Sequence, residues 1–244
     1  ALKAELCEIY TDVDGVYTAD PRVCPRARKL RKISHEEMLE LASLGSKVLQ
    51  IRSVEIAANH NVNLVVRSSF NNNEGTLLTE EEPSMEKIVV SGVALDLSEA
   101  KVAIRNVPDE PGICMKVFGA IAKANINVDM IIQNTGSDGK ADLSFTVPEA
   151  DLLKSKQILE SLKETLSFQK IETDTNIAKV SVVGVGMRSH SGVAAKAFSI
   201  LAESGINIDM ISTSEIKISI IVSREDGKKA MQYLHDGFEL YDET

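Results

Sequence analysis

The sequence predicts a mixed α/β chain, and three observations predict it. One long stretch occurs twice: Ala100 to Asn134 and Ala178 to Ser214 both open on Ala-Lys-Val. They close on Ile126-Asn127-Val128-Asp129-Met130-Ile131 and Ile206-Asn207-Ile208-Asp209-Met210-Ile211. A repeat of this length is one supersecondary unit used twice. Within each copy, β-branched runs alternate with apolar residues at helical spacing. The core has to be aliphatic, because 43% of residues are hydrophobic and only 4% aromatic, with no Trp, which suits a packed α/β protein.

The first copy reads as a complete unit. Val102, Ile104 and Val107 make a strand, and Pro108-Asp109-Glu110-Pro111-Gly112 a loop. Ile113, Val117, Ala120, Ile121 and Ala124 recur at helical spacing, and Asn125 stops the helix. A strand opens on Ile126-Asn127 and is followed by a turn at Ser137-Asp138-Gly139. A strand at 142–147, a helix at 149–162 and a strand at 168–172 complete βαββαβ, the ferredoxin-like arrangement.

The second copy follows the same order. Val180, Val182, Val183 and Val185 form its strand, and its loop Met187-Arg188-Ser189-His190-Ser191-Gly192 is two residues longer. Val193, Ala197, Ile200 and Leu201 mark a helix that Gly205 stops. A strand at 217–222 and a helix at 226–235 follow, but no fourth strand. The segment 87–96, KIVVSGVALD, is a strand left over just before the first copy. We therefore expect it to complete the second sheet, with the first unit inserted in the second, because a missing strand leaves an exposed edge. Val89, Val90, Val93 and Leu95 would face its helices or neighbouring strands.

Residues 1–80 differ from the repeats. The stretch 6–11 reads as a strand and Asp12 to Tyr17 as an acidic turn, with Asp14-Gly15 supplying turn chemistry. Residues 18–25 form a loop with two prolines. Ser34 and Glu37 form a capping box for a helix to about Leu44. Gly45 interrupts it, a second helix covers 47–58, a buried strand 63–67, and an edge strand 76–79. An acidic linker, 81–86, separates this part from the repeats. The domains expected are thus 1–80, 98–175, and 87–97 joined with 176–244. The chain begins on Ala1 as if in mid-helix, which reads as a fragment of a longer chain.

Charge and cysteine content narrow the function classes. The net charge of −9, from 36 acidic and 27 basic residues, argues against a nucleic-acid partner. No apolar run approaches a membrane span, and no signal peptide is visible. Cys7, Cys24 and Cys114 lie far apart and read as reduced thiols in a cytoplasmic protein. His35, His60, His190 and His235 are scattered, so no metal site is expected.

Two motifs carry a resemblance. Glu8-Ile9-Tyr10-Thr11-Asp12-Val13-Asp14-Gly15-Val16-Tyr17-Thr18-Ala19-Asp20-Pro21-Arg22, followed by ELASLGSKVLQIRSVEIA at 40–57, resembles the C-terminal half of the kinase domain of bacterial aspartokinase. The two repeats resemble the paired ACT regulatory domains of that family. The resemblance covers essentially the whole chain. It implies a partial amino-acid-kinase α/β domain followed by two ACT domains, one inserted in the other. It also implies the first step of lysine, threonine and methionine synthesis, the making of 4-phosphoaspartate from aspartate and ATP, the ATP as its Mg complex.

The family places nucleotide contacts at positions that are here Thr11, Asp12, Tyr17, Arg22 and Lys47. Thr11 and Asp12 end a strand, where ligands of α/β sheets sit. Arg22 and Lys47 would offset phosphate charge, and Tyr17 would cover the base. The residues alone also fit a solvated acidic turn with a surface Arg and Lys. The family's lysine- and glycine-rich phosphate site and most aspartate-binding residues have no counterpart here, so no catalytic residue is expected in the chain. Two readings follow: part of an aspartokinase whose other kinase half lies elsewhere, or a stand-alone regulatory subunit.

For effectors, the loop before the helix of each repeat aims backbone N–H groups at an anion, suiting an amino acid's carboxylate. Gly112 and Gly192 allow close approach, beside Ile113 and Val193. Asp109 is the candidate partner for an ammonium in copy one, with Gln133 from the next strand. Ser189, Ser191 and Glu215 are the candidates in copy two. Asn127 and Asn207 head the following strands, each on one face with its Asp. The resemblance implies lysine, threonine or both, bound between ACT domains of a homo- or hetero-oligomer.

Overall fold

The computed structural model describes residues 6–45, 48–82, 85, 88–136 and 139–241. Three four-stranded sheets carry the chain. The first combines β1 (Cys7–Thr11), β2 (Lys32–Ser34), β3 (Leu64–Ser68) and β4 (Thr76–Thr79) in the order β1-β3-β4-β2. Helices α1 (His35–Ser43) and α2 (Ile51–Asn59) pack against it. The capping box forms: Ser34 Oγ accepts from Glu37 N, and the Glu37 carboxylate accepts from Ser34 N.

Several boundaries differ from the sequence reading. Leu6 lies outside the strand it was expected to open. The strand Thr76–Thr79 is interior, because β2, three residues long and too short to read as a strand, pairs with it in parallel. The second helix starts at Ile51, four residues after the expected Lys47, which lies outside the described residues.

The first repeat builds β6 (Glu99–Pro108), α3 (Ile113–Lys123), β7 (Asp129–Thr135), β8 (Lys140–Pro148), α4 (Leu152–Ser161), a short turn α5 (Lys163–Leu166) and β9 (Lys170–Asp174). Asn125 ends α3 in the left-handed region at φ 56°, as expected of a helix stop. The helix expected from Glu149 begins with a 3₁₀ turn, Glu149–Asp151, so regular α-helix starts at Leu152. The last strand is displaced by two residues. Ser167 turns left-handed at φ 51°, Phe168 plugs the core, and pairing with β6 begins at Lys170.

The second sheet, β11-β12-β10-β5, joins β5 (Gly92–Asp96) to β10 (Ile177–Val183), β11 (Met210–Thr213) and β12 (Lys217–Ser223), covered by α6 (Val193–Glu203) and α7 (Gly227–Gly237). Antiparallel pairing runs from Lys179↔Asp96 to Val183↔Gly92, so the first unit is inserted in the second. Residues 88–91 are not strand, although the run KIVV was expected to open one. Ser91 is diverted at the strand's entrance: its hydroxyl donates to Glu37 Oε1 at 2.5 Å, while its N–H donates to Val183 O. Val90 and Val93 are nonetheless buried in the second core, with Val89 and Leu95 packed on it.

The repeats join through reciprocal ion pairs. Lys101, from the first Ala-Lys-Val, meets Asp209 of the second repeat at 2.5 Å. Lys179, from the second Ala-Lys-Val, meets Asp129 of the first at 3.0 Å and Glu99 at 2.9 Å. Beside them Met130, Met210, Ile177 and Ile221 form a small shared core. Met130 is left-handed at φ 47°, and the pairing of β7 with β8 shifts between Asp129 and Ile132, a bulge that re-aims side chains.

Two outcomes are expected. Val93→Asp puts an uncompensated polar group in the second core at a cost of roughly 2–7 kcal/mol. Hydrogen exchange should then show β10–β12 unprotected while β6–β8 keep protection; equal loss in both repeats would contradict the insertion. Next, burial alone would raise the Asp129 pKa, but Lys179 outweighs it and the net shift is down from 3.8. Burial likewise opposes charge on Lys179, yet Glu99 and Asp129 carry its pKa above 10.5. The junction is therefore stabilised between these limits, losing Asp129's contribution as pH falls below 3.8 and Lys179's as pH rises above 10.5. Melting curves of the wild type and Lys179→Met should approach each other above pH 10.5, and the wild type should lose ground to the variant as pH falls below 3.8, where Lys179 stays charged while Asp129 is neutral.

Candidate functional site

The loop after β1 is built around Asp14. Its carboxylate accepts from the Tyr17 hydroxyl at 2.7 Å, Lys29 Nζ at 3.2 Å and Asn73 Nδ2 at 3.3 Å. Burial would raise its pKa, but these hydrogen bonds together hold it below its ordinary value. Tyr17 is pushed up to about 12, first by burial and then by Asp14, so its hydroxyl remains a donor and its ring is held at the loop. Thr76 Oγ1 braces the turn from below, accepting Val16 N at 2.8 Å and donating to Leu30 O at 2.6 Å.

The nucleotide candidates are only partly gathered. Thr11 ends β1 and donates to Asp12 at 3.1 Å. Arg22 forms a two-pronged pair with Asp20, at 3.0 and 2.8 Å, while its side chain stays 86% exposed. Asp12 adds to the field on that guanidinium. Lys47 lies outside the described residues. The pairing with Asp20 fixes Arg22's direction but also offsets part of the charge expected to meet a phosphate.

In the first repeat the loop is open. Gly112 is left-handed at φ 95°, α3 starts at Ile113 with no side chain capping it, and Asp109 stands exposed beside it. Asp109 Oδ1 accepts from Gln133 Nε2 at 3.4 Å, and Gln133 Oε1 accepts from Cys114 Sγ at 3.1 Å. The structure thus brings together Asp109, Gln133 and the start of α3. Asn127 is exposed two residues before β7, which starts at Asp129 rather than at the expected Ile126-Asn127, and Asp129 goes to the junction.

The second loop has the same turn, with Gly192 at φ 92°, and a different setting. His190 Nδ1 and Ser189 Oγ fold back on Gly186 O at 2.8 and 3.3 Å. Ser191, Gly192 and Val193 open onto a cavity of about 450 Å³ shared with Arg28, Val90 and Phe238. Glu215 faces elsewhere and pairs with Arg188 Nε at 3.3 Å. Asn207 is exposed.

The sequence reading missed how firmly this loop is docked on residues 6–82. Arg188 also reaches Glu36 and Glu81 at 2.7 and 2.8 Å. Glu37, 2% exposed, spends one oxygen on the capping box and gives the other to Ser91 Oγ and Val185 N, at 2.5 and 3.0 Å. The Ser-x-x-Glu spacing reveals the first role; nothing in the sequence reveals the second. Lys29, Asn73 and His235 were missed for the same reason: their partners are distant in sequence. Among the described residues no cluster of His, Cys, Asp and Glu could hold a metal, and no helix is long and apolar enough to cross a membrane.

Comparison with known proteins places these parts. The amino acid kinase family matches residues 1–68, and the ACT domain matches 102–162 and 180–238. An aspartokinase of Pseudomonas aeruginosa is 54% identical over 242 residues, covering 98% of this chain, and the chain spans 59% of that relative's length. A solved structure of aspartokinase III from E. coli in complex with lysine and aspartate (T-state) is 28% identical, with TM-score 0.75, covering 97% of this chain and 52% of its own. A solved structure of aspartokinase alpha and beta subunits is 48% identical, with TM-score 0.58, over 62% of this chain and 99% of its own. The chain belongs to the aspartokinase family.

Proposed function

We propose that this chain supplies the nucleotide-side loop and the feedback-sensing region of an aspartate kinase, which transfers the γ-phosphoryl group of ATP to the side-chain carboxylate of aspartate. The observation that carries the reading is the docking of the second ACT loop, through Glu37 and Arg188, on the part that holds Tyr17 and Arg22. Phosphoryl transfer depends on positioning and charge stabilisation, so a sensor that shifts this part by little changes turnover. Thr11, Asp12, Tyr17, Arg22 and Lys47 are the proposed contacts to ATP and its Mg. The remaining kinase half is the expected partner.

Lysine, threonine or both are the proposed effectors. The lysine complex of the E. coli relative supports this. Asp109, Gly112, Ile113, Asn127 and Gln133 form the first site, where the α3 N-terminus takes the carboxylate and Asp109 the ammonium. Ser189, Ser191, Val193, Asn207 and Glu215 are proposed for the second; Ser191 and Val193 line the cavity, and Glu215 pairs with Arg188. A second reading, a separate non-catalytic regulatory subunit, is favoured by the match to the alpha and beta subunits. Both readings use the same effector sites.

The full-length protein should form 4-phosphoaspartate, trapped as a hydroxamate, only with ATP and aspartate, and lysine with threonine should suppress it. A full-length protein silent in this assay, whose addition to a separate aspartate kinase confers inhibition, would favour the regulatory subunit instead. The first site has its own test. An effector at a hundred times its dissociation constant adds roughly 2.7 kcal/mol of stability, read as a rise in Tm. Asp109→Ala removes a charged hydrogen bond worth about 1.5–3 kcal/mol, which is roughly a ten- to hundredfold loss of affinity. An unchanged thermal shift in that variant would move the site elsewhere.

A further inference from the structure

The loop that holds Tyr17 and Arg22 is fastened to the second ACT unit at the residue between them, Thr18. Its carbonyl accepts Val93 N, from β5, at 2.7 Å. Its hydroxyl is 1% exposed and lies 3.0 Å from each of three groups: His235 Nε2 on α7, the Leu240 carbonyl and Arg28 N. Counting protons fixes the directions. A hydroxyl has one proton, and the Leu240 oxygen is only an acceptor, so Thr18 donates there. It accepts from Arg28 N, and with no proton left it accepts from His235 as well. The ring of His235 is therefore protonated at Nε2. Burial lowers the His235 pKa, against a smaller opposing pull from Asp236, which keeps the ring neutral.

This node leaves the loop little slack. Thr18 N donates to Arg28 O at 2.9 Å, so both sides of the loop are tied. Tyr17, one residue back, holds Asp14, and Asp20, two residues on, holds Arg22. A shift of α7 or of the Leu240 carbonyl therefore moves the residues on either side of Thr18. We propose that Thr18 and His235 are positioning residues through which the second ACT unit sets the geometry of the Tyr17–Arg22 loop, and so transmits effector binding to the ATP site. The proposal rests on reading that loop as a nucleotide contact.

The test uses the full-length protein with Thr18→Val, Thr18→Ser and His235→Phe, assayed for the KM for ATP, kcat, and the concentration of lysine plus threonine giving half-inhibition. Thr18→Val loses the donor and acceptor at nearly constant shape; His235→Phe loses the ring donor to Thr18 together with the Nδ1 contact to Asp236 at 3.5 Å. Both are expected to raise the half-inhibiting concentration at least tenfold and the KM for ATP severalfold, with kcat at saturating ATP within twofold. Thr18→Ser keeps the hydroxyl and should behave as wild type in all three. Unchanged inhibition in both Thr18→Val and His235→Phe would overturn the proposal. So would failure of both to fold while Thr18→Ser folds, because the node would then serve stability alone. A wild type without ATP-dependent turnover or inhibition would overturn the function reading and this proposal with it.

Discussion

The ammonium of Lys179 is the constraint on which the arrangement of the two repeats depends. It is 2% exposed and sits in the middle of the second sheet, where an unpaired charge is prohibitive. Glu99 and Asp129, at 2.9 and 3.0 Å, make it tolerable, and both come from the inserted unit. The second unit's own Asp96 reaches the ammonium only at 4.0 Å, so the two close partners of its Lys come from the first. Lys101 and Asp209 mirror the contact nearer the surface. A buried ion pair of this kind is weak evidence for stability; its consequence here is registry. In the observed placement both lysines reach carboxylates of the other repeat.

That registry separates two environments for one loop. In the first repeat the start of α3 is uncapped and exposed, and Asp109 and Gln133 stand beside it. In the second the equivalent loop, lengthened by two residues, is folded on itself and docked on α1. Glu37 accepts Val185 N there, and among the described residues its carboxylate is held by hydroxyls and backbone N–H groups rather than by a cation. Such hydrogen bonds satisfy a carboxylate only when all donors arrive together. The first loop is open at its helix start, and the second is closed by its contacts to α1. Sequence similarity between copies conceals this difference.

Much of the fold was legible because its signals are local. The repeat, the helix stops at Asn125 and Gly205, and the capping box at Ser34 and Glu37 depend on neighbours within a few residues. The insertion was legible by counting strands, since a four-stranded unit short of one strand sits next to a strand with no partner. What was not legible is what distant chain segments do to each other. β2 is too short to show a period, so β4 read as an edge. The strand before the first repeat loses its first half because Glu37 claims Ser91. Of the candidate site, Asp109 and Gln133 were legible from the geometry of one βα loop. The Asp14 hub with Lys29 and Asn73, the Arg188 bridge and the Thr18–His235 contact were not, because their partners lie from 15 to 217 residues away.

The insertion also sets which parts of the chain share a core. The core of the first repeat is made from residues 102–171 alone. The core of residues 6–82, by contrast, includes Ala94 of β5 and Val183 of β10, packed with Val16, Leu30, Met38 and Leu41. The second ACT unit is thus continuous with the kinase-like part, and the first is attached through the second. Among the described residues the two repeats meet where Asp129 and Lys179 pair. Asp129 opens β7, the strand that carries Gln133 four residues on, and the Met130 bulge lies between them. β10 carries that lysine and, four residues on, Val183 in the shared core. Each of these links is a packed or paired contact.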